Sequence, residues 1–335
     1  PNMKQYTIFG IGAALVDTEI KVTDQDLNTM QVEKGLMTLV DEARQDELIA
    51  HLQDHLTTAE HASGGSAANS VIAAALLGSP TYFACKVAHD EYGDIYLGDL
   101  AAAGVAFDES VARGIGTTGK CLVMITPDAE RSMNTFLGIS AALSLDQLNT
   151  KALCASEWLY LEAYQAPSPT GMKACLRARD IAKQNEVKIA VSFSDPGMVE
   201  FFRSQIDALV GDGVDLIFCN TQEALTYAKT ESLDVAIEVL KHKARQFVIT
   251  RGAEGALAYN GSELIEIPAH QVHAIDSNGA GDMFAGAFLY ALTRGEDFAT
   301  SGRFGSLAAG TIVSQYGPRL SADTCQHLRQ SFFGN

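Results

Sequence analysis

From residue 158 onward, short apolar runs at 158–161, 187–193, 214–218 and 247–250 alternate with helix-like stretches at 171–184, 222–229 and 233–242. None of the runs alternates strictly between apolar and polar residues, as expected of strands buried on both faces. Strands separated by helices pair in parallel, because a parallel pair needs a long crossover. The pattern predicts an α/β fold: a three-layer α/β/α sandwich around a mainly parallel central sheet. At 335 residues the chain is long enough to build this as one unit with a large core. Charged residues make up 19% of the chain, below the usual ~25%, which argues for a packed globule and against disorder.

The N-terminal part keeps the rhythm, with two interruptions. Residues 6–11 and 81–87 read as strands, and 45–56, 69–77 and 93–103 as helices, the last two closed by Gly78 and Gly104. Residues 19–39 are polar and irregular, and 121–126 and 131–137 are extended runs around the turn Pro127-Asp128-Ala129-Glu130. These segments predict a small β lid, formed by about residues 18–40 and 110–138, on a single domain covering 1–335.

Formal net charge is −17. So acidic a surface repels nucleic-acid phosphates and anionic lipid, so neither partner is expected. An anionic ligand would need a local positive device. The stretch Gly279-Ala280-Gly281-Asp282 supplies one: an extended run feeds a small-residue turn, and a helix follows to about Thr293. Glycines let the backbone approach an anion, and the first N–H groups of a helix, at its positive dipole end, can hold it. Asp282, in the first turn, is placed to take a proton from an attacking hydroxyl. Read alone, it is equally a favourable acid at a helix N-terminus.

Several near-motifs fail. Gly114 to Cys121 nearly spells a phosphate-binding P-loop, but Cys121 stands where a hydroxyl belongs and a strand follows where a helix is required. Gly10 and Gly12 lack the third glycine of a dinucleotide fingerprint, which disfavours a dehydrogenase. His51 and His55 lack the Glu of a zinc-protease helix. The six cysteines are scattered, which reads as free thiols in a reducing cytoplasm. No run approaches the roughly 18 apolar residues of a membrane span.

The stretch from Asp276-Ser277-Asn278 through Asp282 resembles the second signature of the PfkB carbohydrate kinase, or ribokinase-like, family: Asp-Thr-x-Gly-Ala-Gly-Asp. Gly64-Gly65 with Asn69 four residues on resembles the first. The resemblance runs from Gly10 to about Gly317. It implies the ribokinase-like sandwich with a β lid, and an enzyme that moves the γ-phosphoryl group of ATP to an alcohol, with Asp282 as base and Gly279, Ala280 and Gly281 as anion hole. Asp17, Gly64, Gly65 and Asn69 would then grip the acceptor, and Arg131 on the lid hairpin would neutralise phosphate. Asn220 and Glu223, otherwise a capped helix start, would organise Mg²⁺ and phosphate, with Glu223 acting through water. Thr250, Gly252 and Gly255 would line the nucleotide. Asp276 and Ser277 would contribute to a monovalent-cation (K⁺) site.

Residues 10–17, 131–138 and 191–196 are similar to the adenosine-kinase-like branch, with one departure: Ala13 stands where that branch carries Asn. The acceptor therefore reads as an adenosine-like ribonucleoside, or as a free sugar such as ribose, fructose or a keto-deoxy sugar acid. A non-catalytic nucleotide-binding protein is the distant alternative. A monomer or a homodimer through the exposed lid edge fits the sequence equally.

Overall fold

The computed structural model describes residues 4–128, 130–270, 272, 279–315 and 317–334, leaving out the side chains of 56–58. Nine strands form the main sheet, in the order Leu264–Ile267, Ala256–Tyr259, Ala244–Thr250, Val214–Asn220, Lys188–Ser192, Ser156–Glu162, Tyr6–Ile11, Thr81–Ala84, Val105–Ala106. All neighbouring pairs are parallel except the two hairpin pairs at the 244–267 edge.

The lack of polar alternation has a direct structural cause. Successive side chains leave a strand on opposite faces, and here both faces are covered. Phe9, Leu159, Ile189, Ile217 and Phe247 enter one core, packed by the helices Pro169–Gln184, Arg203–Val210, Thr221–Ala228 and Leu233–Lys241. Ile8, Trp158, Ala190, Leu216 and Val248 enter the other, beneath Ser66–Leu77, Glu91–Ala103 and Ala280–Thr293. Each fully buried aliphatic or Phe side chain contributes about 1.5–3 kcal/mol. The six cysteines are free.

A second sheet of five strands runs Met37–Leu39, Arg131–Phe136, Gly119–Ile125, Leu15–Lys21, Glu60–Gly64. One of its faces is closed by Leu27, Met30, Leu48 and Leu52 from the segments 24–30 and 42–52. It departs from the expected 18–40 and 110–138 in three ways. It recruits Glu60–Gly64, whose residues carry no apolar alternation. Residues 19–39 are ordered as strand, helix (Asp24–Met30) and strand, the helix set by a reciprocal Thr23–Asp26 cap. Arg113–Gly114 pairs with Val87–Ala88 in a separate small sheet, so the strand read at 81–87 is two short ones. The helix read at 45–56 is Glu42–His51, capped by Asp41, followed by the 3-10 turn Gln53–Thr58. Of the extended run expected ahead of the glycine turn, the described part is the strand Leu264–Ile267, and residues 273–278 lie outside those described.

Candidate active site

A cavity of about 470 Å³ lies between the two sheets, at the C-terminal ends of the parallel strands. Open α/β sheets place their ligand-binding loops at this end. The helix Ala280–Thr293 starts in its wall. Gly279 has φ 77° and no side chain caps the helix. A Cβ at Gly279 would sit 2.6 Å from the Pro318 carbonyl oxygen, so only glycine fits. A Cβ at Gly281 would meet nothing within 4 Å; that side is open.

Asp282 is fixed by the way two helices of small residues cross. A Cβ at Gly286 would lie 2.5 Å from the Ser70 carbonyl oxygen, so the backbones of Ala280–Thr293 and Ser66–Leu77 touch. This brings three donors from one turn to Asp282. Ser66 Oγ donates to Oδ1 at 2.7 Å, Asn69 Nδ2 to Oδ2 at 3.1 Å, and Ser70 Oγ to the Asp282 carbonyl at 2.9 Å. Part of the carboxyl's surface opens into the cavity, but it is closely surrounded by protein. Burial pushes its pKa up to about 6, against the Ser66 and Asn69 hydrogen bonds, which favour the charged form.

Asp17 lies on the second sheet, between Ala62 and Cys121 on the flanking strands. Strand alternation gives it the cavity face together with Leu15, while Thr18 and Ile20 turn away and are buried. A Cβ at Gly64 would be 2.3 Å from Asp17 Oδ2, so this glycine makes room for the carboxylate. Gly65, at φ 107°, passes so close to the Ala13 carbonyl oxygen that a Cβ would lie 2.4 Å from it. Burial raises Asp17 to about 7; Arg319 opposes this most, Arg131 also opposes it, and Glu19 and Asp282 add to it.

Further along the cavity, Asn220 and Glu223 close a reciprocal cap. Asn220 Oδ1 accepts the Glu223 N–H at 2.8 Å and Glu223 Oε1 accepts the Asn220 N–H at 2.9 Å. Glu223 is 5% exposed. Burial lifts it to about 7, against the Asn220 N–H and with the charges of Asp195 and Asp282. Thr250 and Gly252 line the same end.

The cavity wall thus gathers Asp17, Gly65, Asn69, Asn220, Glu223, Thr250, Gly252, Gly279, Ala280, Gly281 and Asp282. Three expected residues are not in it. Gly64 stands behind Asp17. Gly255 packs against the backbone of Ile267, where a Cβ would meet the carbonyl oxygen at 2.0 Å. Arg131 shares the strand face of Met133 and Thr135 but lies one pleat further out, its Nη1 3.1 Å from Glu19 Oε1. Asp276 and Ser277 lie outside the described residues.

Sequence reasoning passed over three residues of the wall. Glu162, 1% exposed, accepts the Ala13 N–H on Oε1 at 2.7 Å, and the Ala67 backbone and Gln165 also favour its charged form. Burial pushes it up to about 8, against that N–H and with the charge of Asp282. Its available signal was a charged residue closing an apolar strand. Ser66, one residue beyond the Gly64-Gly65 pair, looks in sequence like an ordinary residue at a helix start. Ser194, at φ 66°, accepts the Ala163 N–H at 3.0 Å, and a strained serine leaves no mark in a sequence. The assembled geometry can take a proton from a hydroxyl at Asp282 while an uncapped helix start stabilises charge developing beside it.

The sequence pattern of the pfkB family carbohydrate kinases matches residues 36–325. An adenosine kinase of Saccharomyces cerevisiae is 28% identical over 340 residues, covering 95% of this chain and 98% of that one. The crystal structure of adenosine kinase from Sinorhizobium meliloti superposes with a TM-score of 0.90 at 32% identity, covering 98% of this chain and 99% of that chain. A probable sugar kinase from Rhizobium etli has a TM-score of 0.90 at 31% identity, with the same coverage. The fold is thus ribokinase-like, and the chain belongs to the pfkB family of carbohydrate kinases, on its adenosine-kinase-like side: a phosphotransferase whose acceptor is an alcohol of a nucleoside or sugar.

Proposed function

We propose that the chain transfers the γ-phosphoryl group of ATP to a hydroxyl of an adenosine-like ribonucleoside, with Asp282 as the general base. The observation that carries this is the seat of Asp282. It stands in the first turn of an uncapped helix, held by Ser66 and Asn69, in a cavity whose far wall presents Asp17. Asp17 and Asn69 orient the acceptor through its hydroxyls. The hydroxyl facing Asp282 loses its proton to that carboxylate as its oxygen attacks the γ-phosphorus, the bond from that phosphorus to the bridging oxygen breaks and ADP leaves, and the N–H groups of residues 279–281 stabilise the charge on the transferring group. A nucleoside is favoured by the second sheet's contribution to the wall: Leu15, Met37, Leu39, Val123, Met133 and Leu137 form an apolar surface suited to a flat base. A free sugar is the second reading, favoured by Ala13, which offers a base no side-chain amide.

The protein's donors fit a phosphate-bound Mg²⁺. Among the described residues no group of three or more His, Cys, Asp or Glu is placed to hold a metal, and Mg²⁺ at such sites takes most of its ligands from phosphate and water. Glu223, with Asn220, would hold it through water. When bound, the ion would neutralise charge on the β- and γ-phosphates. The K⁺ expectation concerns residues outside those described.

An ADP-release assay over a panel of nucleosides and sugars tests both halves of the reading. Asp282→Asn is expected to lose about a thousandfold in kcat with near-normal ATP affinity. Equal turnover by mutant and wild type would remove Asp282 from the chemistry. Ribose or fructose turning over faster than every nucleoside would replace the first reading by the second.

A further inference from the structure

The short segment after the helix Phe298–Val313 touches both halves of the site, and no motif includes it. Pro318 backs Gly279, the residue that opens the anion-holding helix. Next to it, Arg319 Nη2 donates to the Ser63 carbonyl at 2.6 Å and lies 3.9 Å from Asp99 Oδ2. Asp99 Oδ2 accepts the Ser63 N–H at 3.1 Å, and Tyr96 Oη donates to the Gly64 carbonyl at 2.9 Å. Three side chains therefore brace Ser63 and Gly64, the strand end against which Asp17 lies. The Arg319 side chain is 17% exposed, so its field is weakly screened.

We infer that Arg319 is a positioning residue for the acceptor: it holds the Ser63-Gly64 strand end beside Asp17 and keeps the Asp17 carboxylate charged to receive the acceptor's hydroxyls. The inference rests on the reading of Asp17 as the acceptor's grip. Burial pushes the Asp17 carboxyl up to about 7, so the neighbouring charges bear on its protonation near neutral pH. Arg319 from the 317–320 segment acts on it most strongly and Arg131 from the adjoining hairpin assists. Glu19 on its own strand and Asp282 on the helix oppose them. Cys121, paired with Asp17 in register, is a thiol raised by burial and by Asp17 itself. On the other flanking strand His61 meets Thr18 at 2.8 Å.

The test compares Arg319→Gln, Arg319→Lys, Asp17→Asn and the Gln/Asn double variant by ADP release, with pH profiles of kcat/KM for the acceptor and KM for ATP. Thermal melts confirm folding. Arg319→Gln is expected to raise acceptor KM about tenfold and move the acid limb up by about one pH unit, with ATP KM unchanged. Arg319→Lys keeps the charge and the wild-type limb, with a smaller rise in KM. In the Asp17→Asn background, Arg319→Gln should produce no further shift. A brace without an electrostatic role would leave the limb of Arg319→Gln in place, or shift it equally in the double variant; either result overturns the inference. If the Gln variant does not fold, a shifted limb in Arg319→Lys overturns it. Asp17→Asn with unchanged acceptor KM sinks the reading of Asp17 instead, a separate outcome.

Discussion

The proton affinity of Asp282 is a balance between burial, which raises it, and two hydrogen bonds that oppose burial. Burial alone would hold a proton on it more tightly; Ser66 and Asn69 stabilise the charged form. Ser66→Ala removes one donor, so the carboxyl's pKa rises from about 6 toward neutrality. The acid limb of kcat should move up, with up to about a fivefold loss at pH 6 and near-normal turnover at pH 8.5. A loss of the same size at every pH would mean Ser66 matters for packing and not for the proton. Ser66→Thr should restore the profile, because it returns the hydroxyl.

At the scale of elements, one helix crossing decides whether those donors reach their acceptor. Ser66–Leu77 and Ala280–Thr293 meet at Gly286, where a Cβ would also lie 2.8 Å from Ala73 Cβ. Gly286→Ala must push two backbones apart. We expect a loss of about 2 kcal/mol in denaturant unfolding, together with a fall in kcat, since Asp282 is carried away from Ser66 and Asn69. Gly98 in Glu91–Ala103 is the control: a Cβ there meets nothing within 4 Å. Gly98→Ala should stabilise by about 0.5–1 kcal/mol and leave kcat unchanged. Equal behaviour of the two variants would show that the helices do not touch at Gly286. The second sheet follows the same logic, since one residue of register would exchange Asp17 for Val16 or Thr18 at the cavity.

For the molecule as a whole, four carboxyls are held above their usual range around one cavity: Asp282 at about 6, Asp17 and Glu223 at about 7, and Glu162 at about 8. Between the unfolded carboxyl values near 4 and pH 8, the folded state therefore binds more protons than the unfolded state. Stability then falls as pH rises through that window. Carboxyls held low, such as Asp26, Asp90 and Asp297, lose their contribution only below about pH 4. The ligand-free protein should accordingly melt at a higher temperature at pH 5.5 than at pH 8, and Glu162→Gln should flatten that slope. A melting temperature that climbs steadily from pH 5.5 to 8 in both proteins would contradict the placement of these groups.

The sequence alone carried the layer architecture, because strands buried on two faces cannot show a polar period and helices of crossover length separate them. It also carried the turn at Gly279-Ala280-Gly281 that opens the helix Ala280–Thr293, because contiguous small residues after an extended run mark a tight entry into a helix. The tertiary structure decided what depends on residues distant in the chain. Ser66 reaches Asp282 across 216 positions, Arg319 reaches Ser63 across 256, and Glu162 meets Ala13 across 149. Local pattern cannot encode such pairings: each partner taken separately is an ordinary hydroxyl, guanidinium or carboxylate. Arg131 shows the converse. Its place on a hairpin was legible, but its direction depended on which pleat of the sheet it occupied and on Glu19 two strands away.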